Sequence, residues 1–171
     1  MKKGGLVMEM LELFNKDGKS LNKSIARGDK NFAENEYIKL TTIWLKSKDK
    51  YLIQKCSEEK GSEYAVSGGH VQAGKTSAEQ AVLELQEELG LDIDEKDLKF
   101  LGNIYRKHAI FDVYGLEDDK LINKEFVLQE EEVEDVLWLT ENQISGLIKE
   151  GNFRKTSAEQ FEQFIQKDRC M

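Results

Sequence analysis

Three observations on the 171-residue chain predict an α+β or α/β sandwich. Segments rich in β-branched and aromatic residues recur between short polar breaks, three other segments have helical periodicity, and the order is mostly β with helices interspersed. One domain with one core, spanning residues 1–171, is expected at this length. The chain is 39% hydrophobic and 34% charged, and no apolar run approaches the roughly 18 residues that cross a bilayer. Proline is absent, so Gly, Asn, Asp and Ser must make the turns.

Residues 8–15 are apolar at Leu11, Leu13 and Phe14, and Asn15-Lys16-Asp17-Gly18-Lys19 is a turn signal. An N-terminal hairpin over residues 8–28 follows. Residues 37–45 and 51–56 flank the polar run Lys46-Ser47-Lys48-Asp49-Lys50 and read as a second hairpin. Further strands are expected at 100–105, 108–114 and 133–139. Helices are expected at 77–89, 141–149 and 157–167.

The hexapeptide Lys75-Thr76-Ser77-Ala78-Glu79-Gln80 recurs as Lys155-Thr156-Ser157-Ala158-Glu159-Gln160. Flanking residues do not match, which argues against duplication. Each copy supplies a Thr-x-x-Glu capping box, so two helix N-termini are expected at Thr76 and Thr156.

A net charge of −8 opposes nonspecific binding to a nucleic-acid polymer. Cys56 and Cys170 are too few for a disulfide framework, and both are expected as reduced thiols, Cys56 as a small buried hydrophobe. The amino terminus begins with two lysines but meets Glu9 and Glu12 before any apolar stretch long enough for a signal peptide, so a cytoplasmic location is expected, with no membrane association.

In the helix beginning at Ser77, positions 78, 81, 82, 85 and 89 form an apolar stripe that faces the core. Glu84, Glu87 and Glu88 sit at i, i+3 and i+4, so their carboxylates converge on another face. Spacing alone leaves two readings open, a solvated acidic face and a platform for a hard divalent cation. Gly68-Gly69 before the helix permits close backbone approach, and Gly90 after it suits a left-handed C-cap.

Gly69, Glu84, Leu85, Glu87, Glu88, Gly90 and Leu91 match the pattern Gly-x5-Glu-x7-Arg-Glu-U-x-Glu-Glu-x-Gly-U, where U is bulky and aliphatic. This stretch resembles the Nudix box, with two departures: Lys75 stands at the family's Glu and Leu83 at its Arg. The runs 12–18, 26–28, 52–55, 68–71 and 131–139 extend the resemblance over residues 8–155, to the branch similar to isopentenyl-diphosphate isomerase.

The resemblance implies an α/β/α sandwich with a mixed β-sheet and a pyrophosphohydrolase that uses Mg²⁺ or Mn²⁺ on a nucleoside di- or triphosphate or a nucleoside diphosphate-linked substrate. It implies metal ligation by Glu84, Glu87 and Glu88 with the Gly69 carbonyl, and catalytic roles for Glu87 and Glu88. Glu132, in the acidic run before Val133, is the candidate general base. Arg27, Lys55 and Arg106 are candidates for the substrate phosphates.

The expected partner is a small phosphorylated molecule, a nucleotide by the resemblance, and a homodimer is compatible with the sequence. Lys75 and Leu83 lose the supporting Glu–Arg pair together, which motivates an alternative: an impaired Nudix domain that binds a nucleotide or protein partner. His70 could ligate a metal by analogy with the isomerase, but Gly68 stands where the isomerase has its cysteine, which disfavours that chemistry. His108 is expected in a strand and Trp44 and Trp138 in the core.

Overall fold

The computed structural model describes residues 8–166. The expectations for the amino terminus before Met8, for Lys167 and for Cys170 lie outside the described residues.

Strands β1 (Met10–Phe14) and β2 (Ser20–Ala26) pair antiparallel as a separate hairpin. A seven-stranded mixed sheet follows, made of β3 (Ile38–Ser47), β4 (Lys50–Cys56), β5 (Tyr64–Ala65), β6 (Ser67–His70), β7 (Lys99–Arg106), β8 (Ala109–Glu117) and β9 (Val133–Leu139). Strands β3 and β8 pair parallel along the full run from Ile38↔Ala109 to Lys46↔Glu117. Helices α1 (Ser77–Leu89), α2 (Glu141–Lys149) and α3 (Lys155–Gln160) complete the order, and α3 continues as a π-helical turn over Phe161–Ile165.

Side-chain alternation along the central strands divides the core in two. Ile43, Leu45 and Leu52 pack with Ala81, Leu85 and Leu89 of α1. Trp44, Tyr51 and Ile53 point the other way and pack with Ile144, Phe161 and Ile165. One helix on one face and two on the other make an α/β/α sandwich. A third, smaller cluster of Leu11, Leu13 and Ile25 closes the hairpin against Phe32 and Ile38. No helix among the described residues is long and apolar enough to cross a membrane.

The site owes its shape to strands β3 and β4. They pair only next to their two-residue loop, at Lys46↔Tyr51 and Ser47↔Lys50, and then splay apart. The gap is filled by residues 64–70, of which β5 follows β4 and β6 follows β3. Gly68 and Gly69, expected only to permit close backbone approach ahead of the helix, lie in strand β6. Two glycines offer no side-chain periodicity, which hides a strand held by its backbone.

Helix α1 has the expected bounds: Thr76 and Glu79 form the reciprocal capping box, and Gly90 closes the helix at φ 64°. The second copy of the hexapeptide behaves differently. Helix α3 begins at Lys155 with Arg154 as N-cap and no side-chain cap, so Thr156 lies inside the first turn. The cause is upstream: the Arg154 N–H donates to the Tyr64 carbonyl and the Tyr64 N–H to the Asn152 carbonyl, which fixes the chain against β5 before the hexapeptide begins. Glu159 is engaged by Arg106 instead of capping. A capping box that the sequence reading missed stands at Thr140 and Gln143, where Gln replaces Glu.

His108, expected in a strand, sits in the β7–β8 turn at φ 57°. Its ring stacks on Phe32, and Nδ1 lies 2.8 Å from the Glu36 carbonyl.

Leu85 is fully buried at the centre of the α1 face. Leu85→Ala is expected to lower unfolding free energy by about 2–5 kcal/mol. Val127→Ala, at an exposed position, should leave it within about 0.5 kcal/mol in the same denaturant titration.

Candidate active site

A cleft of about 300 Å³ opens where β3 and β4 separate. Thr42, Gln54 and Cys56 line its floor, Gly68, Gly69 and His70 one side, and Glu88 and Glu132 project into it.

Helix α1 delivers the acids because its apolar stripe is fixed in the core, which turns the next face of the helix toward β6. Glu88 is buried, and its Oε1 accepts from the Gly68 N–H at 3.1 Å and from the Ser67 hydroxyl at 3.3 Å. Ser67 accepts in turn from the Gln54 amide at 2.8 Å. Glu84 lies one turn earlier, with its Oε1 accepting from Gln80 Nε2 at 2.8 Å, while Gln80 Oε1 accepts from the Gln72 N–H at 3.1 Å. Gln80 thus ties the carboxylate to the loop before the helix.

Both glycines stand in close quarters, and the backbone contact makes Gly68 the stricter requirement. A Cβ at Gly69 would fall 2.1 Å from Glu84 Oε1, and one at Gly68 would fall 2.3 Å from the Thr41 carbonyl oxygen. The first clash could be relieved by swinging the Glu84 side chain, whereas the second meets backbone.

Burial pushes the Glu84 carboxyl up to about 7, with Gln80 pulling down and the charges of Glu87 and Glu132 pushing up. Burial also dominates at Glu88, where the Glu84 charge adds to it and the Gly68 and Ser67 bonds offset part, leaving it at about 8. Burial lowers the His70 imidazole below its usual range. Glu87 is exposed on α1.

Among the described residues, no group of three or more His, Cys, Asp or Glu is arranged to hold a metal ion. The donor chemistry nevertheless fits a divalent cation. Glu88 is a buried carboxylate and Glu84 a half-buried one, and both hold protons near neutrality, a state that a hard cation relieves by taking their oxygens as ligands. Glu87, on the same helix, is free of the core and within electrostatic reach of Glu84.

A family model described as the NUDIX domain matches residues 40–164. The chain belongs to the Nudix family. It is 28% identical over 151 residues to an uncharacterised Nudix hydrolase of Listeria innocua, across 85% of this chain and 88% of that one. A crystal structure from Deinococcus radiodurans superposes with a TM-score of 0.73 at 23% identity, covering 92% of this chain and 99% of that one. A Francisella tularensis bifunctional NMN adenylyltransferase/ADP ribose pyrophosphatase, solved with AMP and a Mn ion, aligns with a TM-score of 0.59 at 15% identity. That alignment covers 79% of this chain and 42% of the larger protein. Family membership makes the chain a Nudix pyrophosphohydrolase, and Nudix enzymes generally use divalent metal ions.

The remaining sequence candidates fall in different places. Glu132 lies at the cleft, its Oε1 3.1 Å from Lys60 Nζ. Arg27 lines the cleft and pairs with Glu9 at 2.7 Å. Lys55 alternates with Gln54 and Cys56 on β4 and faces outward to Glu134, 3.5 Å away. Arg106, on the far edge strand β7, is held by Glu159. The structure therefore brings Gly69, Glu84, Glu88, Glu132 and Arg27 together, and leaves Lys55 and Arg106 elsewhere. Cys56 is buried as expected and its thiol is pushed up by burial; Trp44 is core, and Trp138 packs half-buried against Phe126.

Sequence reasoning missed Gln80, Gln54, Ser67, Lys60 and Arg154. Gln80 had a local signal, since Gln and Glu four residues apart on a helix can hydrogen-bond. The others are assembled only by the splayed strands. Lys75 lines a separate hollow with Glu12, Phe14 and Lys39, and Leu83 is half-buried on α1.

In the absence of metal, the raised carboxyls set the pH response. Between about pH 4.5 and 8 the native state binds more protons than the unfolded chain, so stability is full below the unfolded value and falls as pH rises through 7 and 8. Glu88→Gln should flatten this slope in denaturant titrations. Added Mn²⁺ should raise the melting temperature of the wild type most at pH 8, where the ligands ionise readily.

Proposed function

We propose that the chain hydrolyses the diphosphate linkage of a nucleoside di- or triphosphate, or of a nucleoside diphosphate joined to another group, with Mg²⁺ or Mn²⁺ as cofactor. The observation that carries this reading is the pair of carboxylates, buried Glu88 in the cleft and half-buried Glu84 one turn behind it, packed against Gly68-Gly69. The Nudix relatives support a phosphoric-anhydride substrate, and the Francisella tularensis neighbour's AMP and Mn ion support a nucleotide and a divalent cation.

Glu84, Glu87, Glu88 and the Gly69 carbonyl are the proposed metal ligands. The metal would supply charge neutralisation for the phosphates and a lowered pKa for its bound water. Glu88 is oriented by the Gly68 N–H and Ser67, and Glu84 by Gln80. Glu132 is the proposed general base: it sits at the cleft with Lys60 fixing one oxygen, which leaves the other to accept a proton from water. Arg27 is the proposed phosphate contact among the original basic candidates, since Lys55 and Arg106 are engaged outside the cleft. The proposed location is the cytoplasm and the proposed unit one domain.

The test is hydrolysis of a panel of nucleotides and nucleotide conjugates by purified protein with Mg²⁺ or Mn²⁺. Glu88→Gln is expected to reduce the rate by more than about 100-fold, beyond the roughly 10–100-fold that follows loss of a group merely supporting a metal ligand. Equal rates for wild type and variant would overturn the assignment.

Lys75 and Leu83 favour a second reading, a domain that binds its nucleotide without turning it over. Activity absent across the panel, with nucleotide binding retained, is the result that would select it. Lys75→Glu combined with Leu83→Arg should raise metal affinity about 10-fold or more if the missing pair limits the site. Unchanged affinity would mean that Gln80 already does that work.

A further inference from the structure

Three cations line the cleft, and they differ in what holds them. Arg27 has Glu9 at 2.7 Å and Lys60 has Glu132 at 3.1 Å. The nearest carboxylate oxygen to the Arg154 guanidinium is Glu63 Oε2 at 3.8 Å from Nε, between two half-exposed side chains, a separation beyond hydrogen-bond range. Its other described contact is a 3.3 Å bond from a terminal nitrogen to the Cys56 sulfur. Thiol sulfur is a weak acceptor, and a guanidinium has five N–H donors, so most of this donor capacity has no strong acceptor among the described residues.

The backbone beneath this head group is fixed. The Arg154 N–H donates to the Tyr64 carbonyl at 2.7 Å, and the Tyr64 N–H to the Asn152 carbonyl at 2.9 Å. Between these bonds Phe153 forms a parallel bridge to Tyr64 and buries its ring in the α2–α3 core. A long cation on a pinned stem, reaching into a cleft toward a weak partner, is preorganised for an anion that arrives from outside. An ion pair as long and exposed as that with Glu63 contributes little to folding, so stability does not explain the placement.

The chemistry along the cleft is complementary. Glu88, with Glu84 one turn behind it, repels an oxyanion unless a cation intervenes, while Arg154, hydrogen-bonded to the Cys56 sulfur in the same cleft, offers charge and paired donors without one. We propose that Arg154 is a substrate-binding residue: its guanidinium takes the oxygens of the substrate phosphoryl group lying away from the Glu84–Glu88 pair, so that a diphosphate is held at two points along the cleft. The inference rests on reading this cleft as the diphosphate site. It selects ligands carrying a second phosphoryl group over monophosphates, because the former can engage the cation held by the acids and Arg154 together. A guanidinium binds phosphate with two parallel bonds, which Lys reproduces in charge but not in geometry.

The experiment compares wild type, Arg154→Gln and Arg154→Lys. Calorimetric binding of inorganic pyrophosphate and of inorganic phosphate is measured in the presence of Mg²⁺. KM and kcat are measured with Mn²⁺ on the best nucleotide of the panel. A lost charge-assisted pair predicts pyrophosphate binding weakened about 10–100-fold in Arg154→Gln, with KM raised in the same ratio and kcat changed by less than about 3-fold. Arg154→Lys should fall between, and phosphate should bind the wild type more weakly than pyrophosphate. Equal pyrophosphate constants in all three proteins, or no measurable binding to wild type, overturns the proposal. Arg154→Lys keeps this test valid if Arg154→Gln unfolds, because a structural role would show as a lowered melting temperature with unchanged ligand constants. Wild type that binds pyrophosphate through Arg154 but hydrolyses nothing would defeat the hydrolase reading and leave this one standing. Hydrolysis unaffected by either substitution would do the reverse.

Discussion

Two missing side chains set the limits of the site. At positions 68 and 69 the backbone of β6 passes so close to the Thr41 carbonyl and the Glu84 carboxylate that a Cβ at either place would overlap them. That closeness brings the Gly68 N–H within reach of Glu88 and lets one acid be buried and a second half-buried beside a strand. Strand β6 in turn has its place because β3 and β4 part after only two paired residues each. A sheet that stayed zipped would have neither the cleft nor the exposed run of backbone that the carboxylates use.

Helix α1 serves the core and the cleft together. Ala81, Leu85 and Leu89 commit one face to the sheet, and this commitment fixes the azimuth of Glu84 and Glu88 with no further device. The electrostatic consequence is unfavourable for the isolated chain: burial raises both acids toward neutrality, and neighbouring charges, Glu87 and Glu132 at Glu84 and Glu84 at Glu88, add to it. Arrangements that cost stability in this way recur at sites built for a charged ligand, because the ligand supplies what the chain withholds.

The sequence was most legible where several local signals coincided. For α1 the cap at Thr76, the apolar stripe and the glycine at position 90 agree, and the helix bounds follow to the residue. Strand β6 was hidden because Ser67-Gly68-Gly69-His70 has nothing to alternate, and its partner Thr41 is 28 residues away along the chain. Glu132 was reachable from the sequence as an acid before a strand, whereas its tie to Lys60 depends on the helical turn Glu58–Lys60 that follows β4. Lys55 and Arg106 look equivalent to Arg27 in one dimension. Strand parity turns Lys55 outward, and edge position removes Arg106. Gln80 was overlooked because a neutral amide draws no notice, yet it supports Glu84 in a site that lacks the family's Glu–Arg pair.

The repeated hexapeptide shows how far neighbours decide what a local sequence means. Its threonine caps a helix at position 76 and lies inside one at 156. Its final glutamine is buried in both copies, reaching Glu84 and the Gln72 backbone from position 80, and Thr42 and Trp44 from position 160. What the copies share in three dimensions is therefore an amide clamp between a helix and the strand-and-loop framework around one cleft, approached from opposite faces of the sheet. Two unrelated packing problems have converged on one vocabulary, and a substitution tolerated in one copy is no guide to its twin.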